Sequence, residues 1–336
     1  MPPKPTSPKT AEGILALGRS YQDSAVLLAG AELEVFDALH AKPAGAEELS
    51  RRLSCGRRGL TTLLDALAAR RVIEKGGSTY SLPAGLEAFL TRAGSQSVLS
   101  MLQHQANCLR NWAQLARVVK TGRPAERTPS VRGQAGDQES FIGAMDNISG
   151  PMAAQVIRGV QPLRFEHLLD IGGASGTWTI AFLRACPAGR ATLFDLPHVI
   201  PMAQRRLAHA GLGDRVALVP GDFMVDPLPP GADLAWVSAI VHQNSREQNG
   251  MLFQKVFQAL VPGGRIAIRD VVMEPDRTKP VAGALFAINM LVATEGGGTF
   301  TFEELREDLE SAGFRDPAVL RPDQGMSAIV AGTKPR

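Results

Sequence analysis

Short apolar runs alternate with helix-sized stretches in the second half of the chain. Runs of this length are typical of strands that are buried on both faces of a sheet. The predicted strands are residues 168–172, 191–196, 216–220, 234–241 and 265–272, followed by a predicted terminal hairpin at 318–320 and 327–332. The predicted helices between them are residues 177–185, 198–210, 246–260 and 302–312. Strands that alternate with helices predict a parallel sheet of the α/β class.

The first half of the chain is mostly helical in its periodicity. Helical patterns cover residues 14–39, 44–52, 59–70 and 99–119. Residues 72–75 and 79–82 flank Gly76-Gly77-Ser78, which predicts a small hairpin. Three helices followed by a hairpin are the order of a winged helix-turn-helix.

A polar segment separates this half from the α/β half. Residues 122–136 are rich in Gly and Pro and predict a loop, and residues 141–147 are expected to open a helix. The sequence therefore predicts three segments. They are a domain over residues 11–98, a helical connector over 99–150 and a second domain over 151–336.

Composition and charge exclude several classes of protein. The 336 residues carry 36 Lys and Arg against 33 Asp and Glu, a net charge of +3, and 44% of residues are hydrophobic. This is an ordinary globular composition, which excludes wholesale disorder and a collagen-like chain. The small net charge gives no general case for nucleic-acid binding, which needs a concentrated basic face.

A local basic character in the first domain has two interpretations, DNA binding or a solvated surface on a domain used for dimer packing. The arginines are Arg51, Arg52, Arg57, Arg58, Arg70 and Arg71. The helix predicted over residues 59–70 presents mainly Leu and Ala, whereas a recognition helix would present Arg, Asn or Gln together. This favours the surface interpretation, so nucleic acid is not expected as a partner.

The cysteines and the N-terminal segment indicate the cellular compartment in which the protein is expected. Cys55, Cys108 and Cys186 are scattered and offer neither a disulfide framework nor the spacing of a metal site. The first ten residues lack the apolar core of a signal peptide, and no apolar stretch approaches about 18 residues. We therefore expect a cytoplasmic protein with no membrane span and no metal.

Candidate chemistry lies where the predicted strands end, because ligands of parallel sheets bind at the carboxyl ends of the strands. The first strand is followed by a turn of small residues, 170–176, and Asp195 at the end of the second strand lies 19 residues beyond Gly176. A carboxylate at this distance can accept hydrogen bonds from ribose hydroxyls. Together these two features predict a nucleoside-type cofactor.

Further elements follow in a fixed order. They are Phe194-Asp195-Leu196-Pro197, Gly221-Asp222-Phe223, a histidine (His242) closing the fourth strand, and Pro262-Gly263-Gly264 before the fifth. In this series the chain resembles the S-adenosylmethionine-dependent O-methyltransferases of the caffeate and hydroxyindole type, over about residues 11–335. The resemblance implies a Rossmann-like S-adenosylmethionine-dependent methyltransferase domain of the α/β class, preceded by a mostly helical winged-helix domain that mediates homodimers.

The resemblance also implies roles for individual residues. Asp170 and Gly172 would line the methionine part of S-adenosylmethionine, Asp195 would hold the ribose, and Asp222 and Phe223 would bracket the adenine. The predicted cofactor site is completed by Gly173, Leu196 and Ser238. His242 would be the general base that deprotonates the acceptor, oriented by Asp270. The acceptor pocket, to which the connector would contribute, would include Trp112, Met145, Asn289, Met290 and Thr299.

Four positions depart from the family pattern. The chain has His242-Gln243-Asn244 for His-Asp-Trp, Ser238 for Lys or Arg, Asp270 for Glu, and Thr299 for a second Glu. The expected function is methylation of a hydroxyl on a small aromatic, phenolic metabolite. The departures leave open a more acidic acceptor, S- or N-methyl transfer, or cofactor chemistry without methyl transfer. The competing class is a winged-helix DNA-binding regulator.

Overall fold

The computed structural model describes residues 9–160 and 164–336, with the side chains of residues 146, 148 and 151 outside the description. The helices are α1 (Ala11–Arg19), α2 (Tyr21–Glu32), α3 (Val35–Ala41), α4 (Ala46–Arg52), α5 (Arg57–Ala69), α6 (Glu87–Leu90), α7 (Leu99–Trp112), α8 (Leu115–Thr121), α9 (Gly133–Arg158), α10 (Thr177–Ala185), α11 (Ile200–His209), α12 (Arg246–Ala259), α13 (Val281–Ala293) and α14 (Phe302–Ser311). The strands are β1 (Ala44–Gly45), β2 (Glu74–Gly76), β3 (Thr79–Ser81), β4 (His167–Ile171), β5 (Arg190–Asp195), β6 (Val216–Pro220), β7 (Ala232–Ser238), β8 (Leu260–Asp270), β9 (Val272–Met273), β10 (Phe300–Thr301), β11 (Arg315–Arg321) and β12 (Ala328–Thr333). Two 3₁₀ turns lie at Gly213–Arg215 and Val241–Gln243.

The chain divides into two compact units. The first runs to Arg110 and includes Arg127–Asn147, and the second comprises Asn111–Glu126 and Ile148–Arg336. The connector expected over residues 99–150 is thus shared between the units. In the described part of the chain no helix is both long enough and apolar enough to cross a bilayer.

The first unit is built around α2 to α5 and a small sheet of strand order β1-β3-β2. The predicted hairpin is present as β2 and β3 and directly follows α5, although five helices precede it in the chain rather than the expected three. Leu60, Leu64 and Leu67 line the buried face of α5 and pack against Phe36 and Tyr80. The leucines that the sequence placed on this helix therefore form core rather than a surface for reading bases.

Two predicted helices of the first half are interrupted. The pattern over residues 14–39 is three helices, which are separated at Ser20 and at Leu33–Glu34, where Glu34 has φ 58°. The turn at Glu34 directs Val35 and Phe36 into the core, where both are fully buried. The pattern over 99–119 likewise breaks between α7 and α8. The loop predicted over residues 122–136 is shorter than expected, since α9 already begins at Gly133.

The second unit is a seven-stranded sheet of order β11-β12-β8-β7-β4-β5-β6, in which β12 runs antiparallel to both of its neighbours. The predicted strands, including the terminal hairpin, are all present, although β8 begins five residues early. Alternate side chains of β4 enter opposite clusters: Leu169 and Ile171 on one face, Leu168 on the other. Such burial on both faces explains why the strands read as apolar runs.

Candidate active site

The strand order of the second unit reverses at its centre. β4 pairs with β5 on one side and with β7 on the other, and β7 leads on to β8. A reversal of this kind opens a crevice outside the carboxyl ends of the two central strands, where α/β proteins bind ligands. The residues predicted to bind a cofactor and to catalyse lie at or just after the ends of β4, β5, β6, β7 and β8.

The glycine turn after β4 is shaped by close packing. Gly172 has φ 65°, and a Cβ added there would lie 2.5 Å from Ile240 Cδ1. A Cβ at Gly173 would lie 2.6 Å from Leu193 Cγ. The N–H of Ala174 donates to Asp195 Oδ2 at 2.7 Å, which ties the turn to the end of β5. Small residues are thus required here to bring the turn against the neighbouring strands.

Asp195 remains partly exposed at the end of β5. Its Oδ2 accepts from Ala174 and its Oδ1 from the Leu196 N–H, both at 2.7 Å. Burial raises the pKa of Asp195, while these two backbone hydrogen bonds oppose the change. A carboxylate offers about four acceptor positions, so two N–H donors leave capacity for further hydroxyl donors.

Asp170 is turned into the protein. It is 1% exposed, and its Oδ2 accepts a hydrogen bond from Thr179 Oγ1 of α10 at 2.6 Å. Burial raises the pKa of Asp170 to about 7, the Thr179 hydrogen bond opposes this change, and the charge of Asp195 adds to it. In the folded protein the carboxyl group therefore keeps its proton to near neutral pH.

Asp170→Asn is expected to change how stability depends on pH. The unfolded chain releases this proton near the ordinary pKa of 3.8 and the folded chain only near 7, so raising the pH between these values favours unfolding of the natural protein. At about 1.4 kcal/mol per pKa unit, the free energy of unfolding of the natural protein should fall by roughly 2–3 kcal/mol relative to the variant between pH 5 and pH 8.

Urea unfolding of both proteins at pH 5, 6, 7 and 8 measures this difference, with the exposed Asp214→Asn as control. The unfolding free energies of the natural protein and Asp170→Asn could instead change with pH in parallel. That result would contradict a raised pKa of Asp170 in the folded protein.

The turn after β6 carries Asp222 and Phe223. Asp222 Oδ1 accepts from the Met224 N–H at 2.8 Å, which fixes the turn. Phe223 packs beside the glycine turn, with Cε1 3.9 Å from where a Cβ of Gly172 would be. Lys255 was not singled out from the sequence; its ammonium group donates to the carbonyls of Phe223, Met224 and Asp226 at 2.9 to 3.0 Å.

The hydroxyl of Ser238 accepts a hydrogen bond from an arginine on the adjoining strand. Arg269 of β8 is 1% exposed, and its Nη1 donates to Ser238 Oγ at 3.0 Å. Its guanidinium carbon lies 4.6 Å from the centre of the Trp178 ring. Burial lowers the pKa of Arg269 to about 10, which leaves it protonated at neutral pH. A basic group therefore lies beside position 238, although residue 238 itself is a serine.

His242 and Asp270 face each other at the ends of neighbouring strands. His242 lies on the 3₁₀ turn after β7, Asp270 ends β8, and both are at least 94% buried. His242 Nδ1 lies 2.9 Å from each carboxylate oxygen of Asp270. The Val271 N–H donates to Oδ1 at 2.8 Å. Because carboxylate oxygens accept, we assign the proton of the neutral ring to Nδ1, which leaves Nε2 as an acceptor.

Three side chains that support His242 were not singled out as functional from the sequence. Phe286 of α13 meets the imidazole edge to face, with ring centres 4.8 Å apart. Asn249 donates from Nδ2 to the Val241 carbonyl at 3.0 Å and accepts from Asn244 Nδ2 at 3.1 Å. Asn244, at the position of the family's tryptophan, thus belongs to a buried amide chain under the turn. In the sequence, only the polar residues between His242 and the start of α12 indicated this buried amide chain.

The residues predicted for the acceptor pocket are divided between the units. Trp112 Nε1 donates to Asn289 Oδ1 at 3.0 Å in the second unit. Met290 is buried on α13, one helical turn after Phe286, and Thr299 is buried beside β10. Met145 is half-buried on the part of α9 that belongs to the first unit. Within the described ranges, no three His, Cys, Asp or Glu side chains are grouped to hold a metal ion.

Two family profiles match the chain. The O-methyltransferase domain matches residues 112–315, and the O-methyltransferase dimerisation domain matches residues 15–91. Among relatives, the tetracenomycin polyketide synthesis 8-O-methyl transferase TcmO of Streptomyces glaucescens is 32% identical, covering 96% of each chain. The N,N-dimethyltransferase OxyT of Streptomyces rimosus is 29% identical, covering 97% of each.

Solved structures agree with this assignment. The crystal structure of human N-acetylserotonin methyltransferase in complex with SAM is similar with a TM-score of 0.78 and 25% identity, covering 99% of this chain and 100% of that one. The resemblance inferred from the sequence motifs is therefore confirmed, as is the α/β fold class. The chain belongs to the O-methyltransferase family and carries that family's dimerisation domain ahead of its O-methyltransferase domain.

Proposed function

We propose that this enzyme uses S-adenosylmethionine to methylate a hydroxyl group of a small aromatic metabolite, with His242 as the general base. The observation that carries the proposal is the buried contact of His242 Nδ1 with both oxygens of Asp270 at 2.9 Å. An imidazole held in this way has one nitrogen fixed by a carboxylate and the other available to accept a proton.

Each member of the pair has a distinct task. Asp270 accepts the Nδ1 proton and is itself held by the Val271 N–H, so it fixes the ring and its tautomer. Nε2 then takes the proton of the acceptor hydroxyl, and Asp270 stabilises the resulting imidazolium. S-adenosylmethionine supplies a methyl carbon on a positively charged sulfur, which is a good leaving group. The remaining work of the protein is to align the acceptor oxygen and to exclude water.

The residues at the strand ends fit such a cofactor. Asp195 has acceptor capacity left for the two hydroxyls of a ribose, after its bonds to Ala174 and Leu196. Phe223 offers an aromatic surface beside the glycine turn. We assign Gly172, Gly173 and Ser238 to the same site. Asp170 would support the site indirectly, without contacting the cofactor, because its carboxyl group accepts a hydrogen bond from Thr179 rather than facing outward.

The acceptor side is apolar with few polar groups. Phe286 and Met290 share one face of α13, and the Asn289 amide is held by Trp112. Aromatic and thioether side chains of this kind suit a flat aromatic acceptor. We include Thr299 among the residues that contact it, and the assignment of Met145 stays a prediction from the family resemblance.

We also propose that the enzyme works as a homodimer in the cytoplasm. The dimerisation domain is one support, and α1 offers an exposed apolar surface that includes Ile14, Leu15 and Leu17. No disulfide joins the three cysteines, which fits a reducing compartment.

N-methyl transfer is the second candidate function. It is favoured by the similarity along almost the whole chain to OxyT, which is named as an N,N-dimethyltransferase. An aromatic amine and a phenol share shape and apolar surface, so one pocket could serve either. The two candidate functions differ in their need for a general base, because a neutral amine can attack the methyl carbon before it loses a proton.

A methyl-transfer assay tests the function. The protein is incubated with methyl-labelled S-adenosylmethionine and matched pairs of acceptors that share a ring system and differ only in carrying a hydroxyl, amino or thiol group. We expect labelled aryl methyl ether and an equal amount of S-adenosylhomocysteine, and no label with the corresponding methyl ethers as control acceptors. Label on amines alone would replace the proposal by its second candidate, and cofactor binding without any transfer would overturn both.

A further inference from the structure

A loop of three glycines lies on the backbone of the turn that carries His242. This glycine loop, residues 296–298, follows α13 and leads into β10. The N–H of Gly298 donates to the His242 carbonyl oxygen at 2.9 Å. Asp270 holds the ring of His242, and the glycine loop holds its main chain.

Gly297 is required for space rather than for conformation. A Cβ added there would lie 2.5 Å from both the His242 carbonyl oxygen and Thr294 Oγ1, closer than real Cβ atoms approach, and 3.0 Å from the Gln243 carbonyl oxygen. Its φ lies outside the left-handed region. A Cβ at Gly298 would meet nothing within 4 Å. Two adjacent glycines of one loop therefore differ sharply in what a methyl group would do.

The loop is anchored at both ends. At its start, Thr294 Oγ1 accepts the Gly297 N–H at 2.9 Å and donates to the Met290 carbonyl at 2.8 Å. At its end, Arg277 donates from Nη1 to the Thr299 carbonyl at 2.9 Å and from Nη2 to the Glu304 carboxylate of α14. A loop tied in this way to two helices cannot easily yield when a side chain is added at Gly297.

We propose that the glycine loop positions His242, and that Gly297 is the positioning residue, because its lack of a side chain allows the loop to lie against the His242 carbonyl. The loop and Asp270 then fix the histidine from two sides, backbone and ring. This proposal rests on the role of His242 as base, since its consequence for the reaction passes through that residue.

Gly297→Ala and Gly298→Ala form a matched pair for the test. In protein with ¹⁵N-labelled histidine, the Nδ1 proton between His242 and Asp270 is observed by NMR and identified by its loss in His242→Asn. We expect Gly297→Ala to shift this signal and to speed its exchange with solvent, and Gly298→Ala to leave it unchanged. Turnover of the best acceptor should fall about 10- to 100-fold in kcat for Gly297→Ala, as for other supporting residues, with KM and the Kd of S-adenosylhomocysteine within about twofold.

Thr294 provides a second test if Gly297→Ala does not fold. Thr294→Ala removes the acceptor of the Gly297 N–H, and Thr294→Ser keeps the hydroxyl. We expect the alanine variant to shift the His242 signal and lower kcat, and the serine variant to restore both.

Two results would overturn the proposal. They are equal effects of Gly297→Ala and Gly298→Ala, and a serine variant as impaired as the alanine variant. If His242→Asn keeps full kcat, the proposal that His242 is the general base is overturned instead. The NMR signal still reports separately whether the loop positions the ring.

Discussion

His242→Asn is expected to lower kcat for methyl transfer to a hydroxyl about 10²- to 10⁴-fold, the range that a positioned general base contributes. Asparagine keeps a polar side chain beside Asp270 but has no nitrogen that can take up a proton at Nε2. The loss should appear in kcat, because the imidazole acts on the reacting hydroxyl. Steady-state kinetics with the best acceptor from the matched pairs measures it.

Two controls make this result specific. The Kd of S-adenosylhomocysteine, measured by calorimetry, should stay within about twofold, because the cofactor is assigned to other residues. His209→Asn, at the exposed end of α11, should leave kcat unchanged. An unchanged kcat in His242→Asn would show that the acceptor loses its proton to another group or to solvent. Greater loss with phenols than with amines would link the histidine to proton removal.

Asp270→Asn is expected to give the second-largest effect, a decrease in kcat of about 10- to 100-fold, as for other groups that orient a functional histidine. The amide has one oxygen where the carboxylate has two, and its NH₂ group opposes the Nδ1 proton of His242. The imidazole can then adopt the other tautomer, with its proton on Nε2, which no longer accepts. Comparing kcat for Asp270→Asn and the natural protein across pH 6–9 measures the loss.

Asp270→Glu is the matched variant, because it keeps the charge and restores the residue usual in the family. We expect it to retain more kcat than Asp270→Asn. Asp270→Asn with full activity and an unchanged His242 NMR signal would show that the carboxylate only packs against the ring.

The sheet and its strand ends were predictable from the sequence because their signals are local. A strand buried on both faces is an apolar run, and the residue after it lies at the ligand-binding edge whatever the rest of the chain does. The positions of Asp195, His242 and Asp270 near strand ends were predicted in this way, and their roles stay predictions that rest on the family resemblance.

The groups that were missed depend on contacts distant in sequence. Phe286 reaches His242 from α13, a helix that was not predicted, and Arg269 reaches Ser238 from the adjoining strand β8. Neither contact leaves a pattern in neighbouring residues. The helix breaks were missed for a related reason: residues on either side of Glu34 face the same core, so helical spacing continues through the turn.

The pair of Ser238 and Arg269 has a consequence for how this family is recognised in sequences. A positive charge at the end of the central crevice can be carried by either of two adjoining strands, since residues 238 and 269 are direct partners in the β7–β8 register. A motif that demands a basic residue before the histidine would reject this chain, although its guanidinium occupies the same neighbourhood. We therefore expect the residues at positions 238 and 269 to vary together among relatives, with a basic side chain at one of the two.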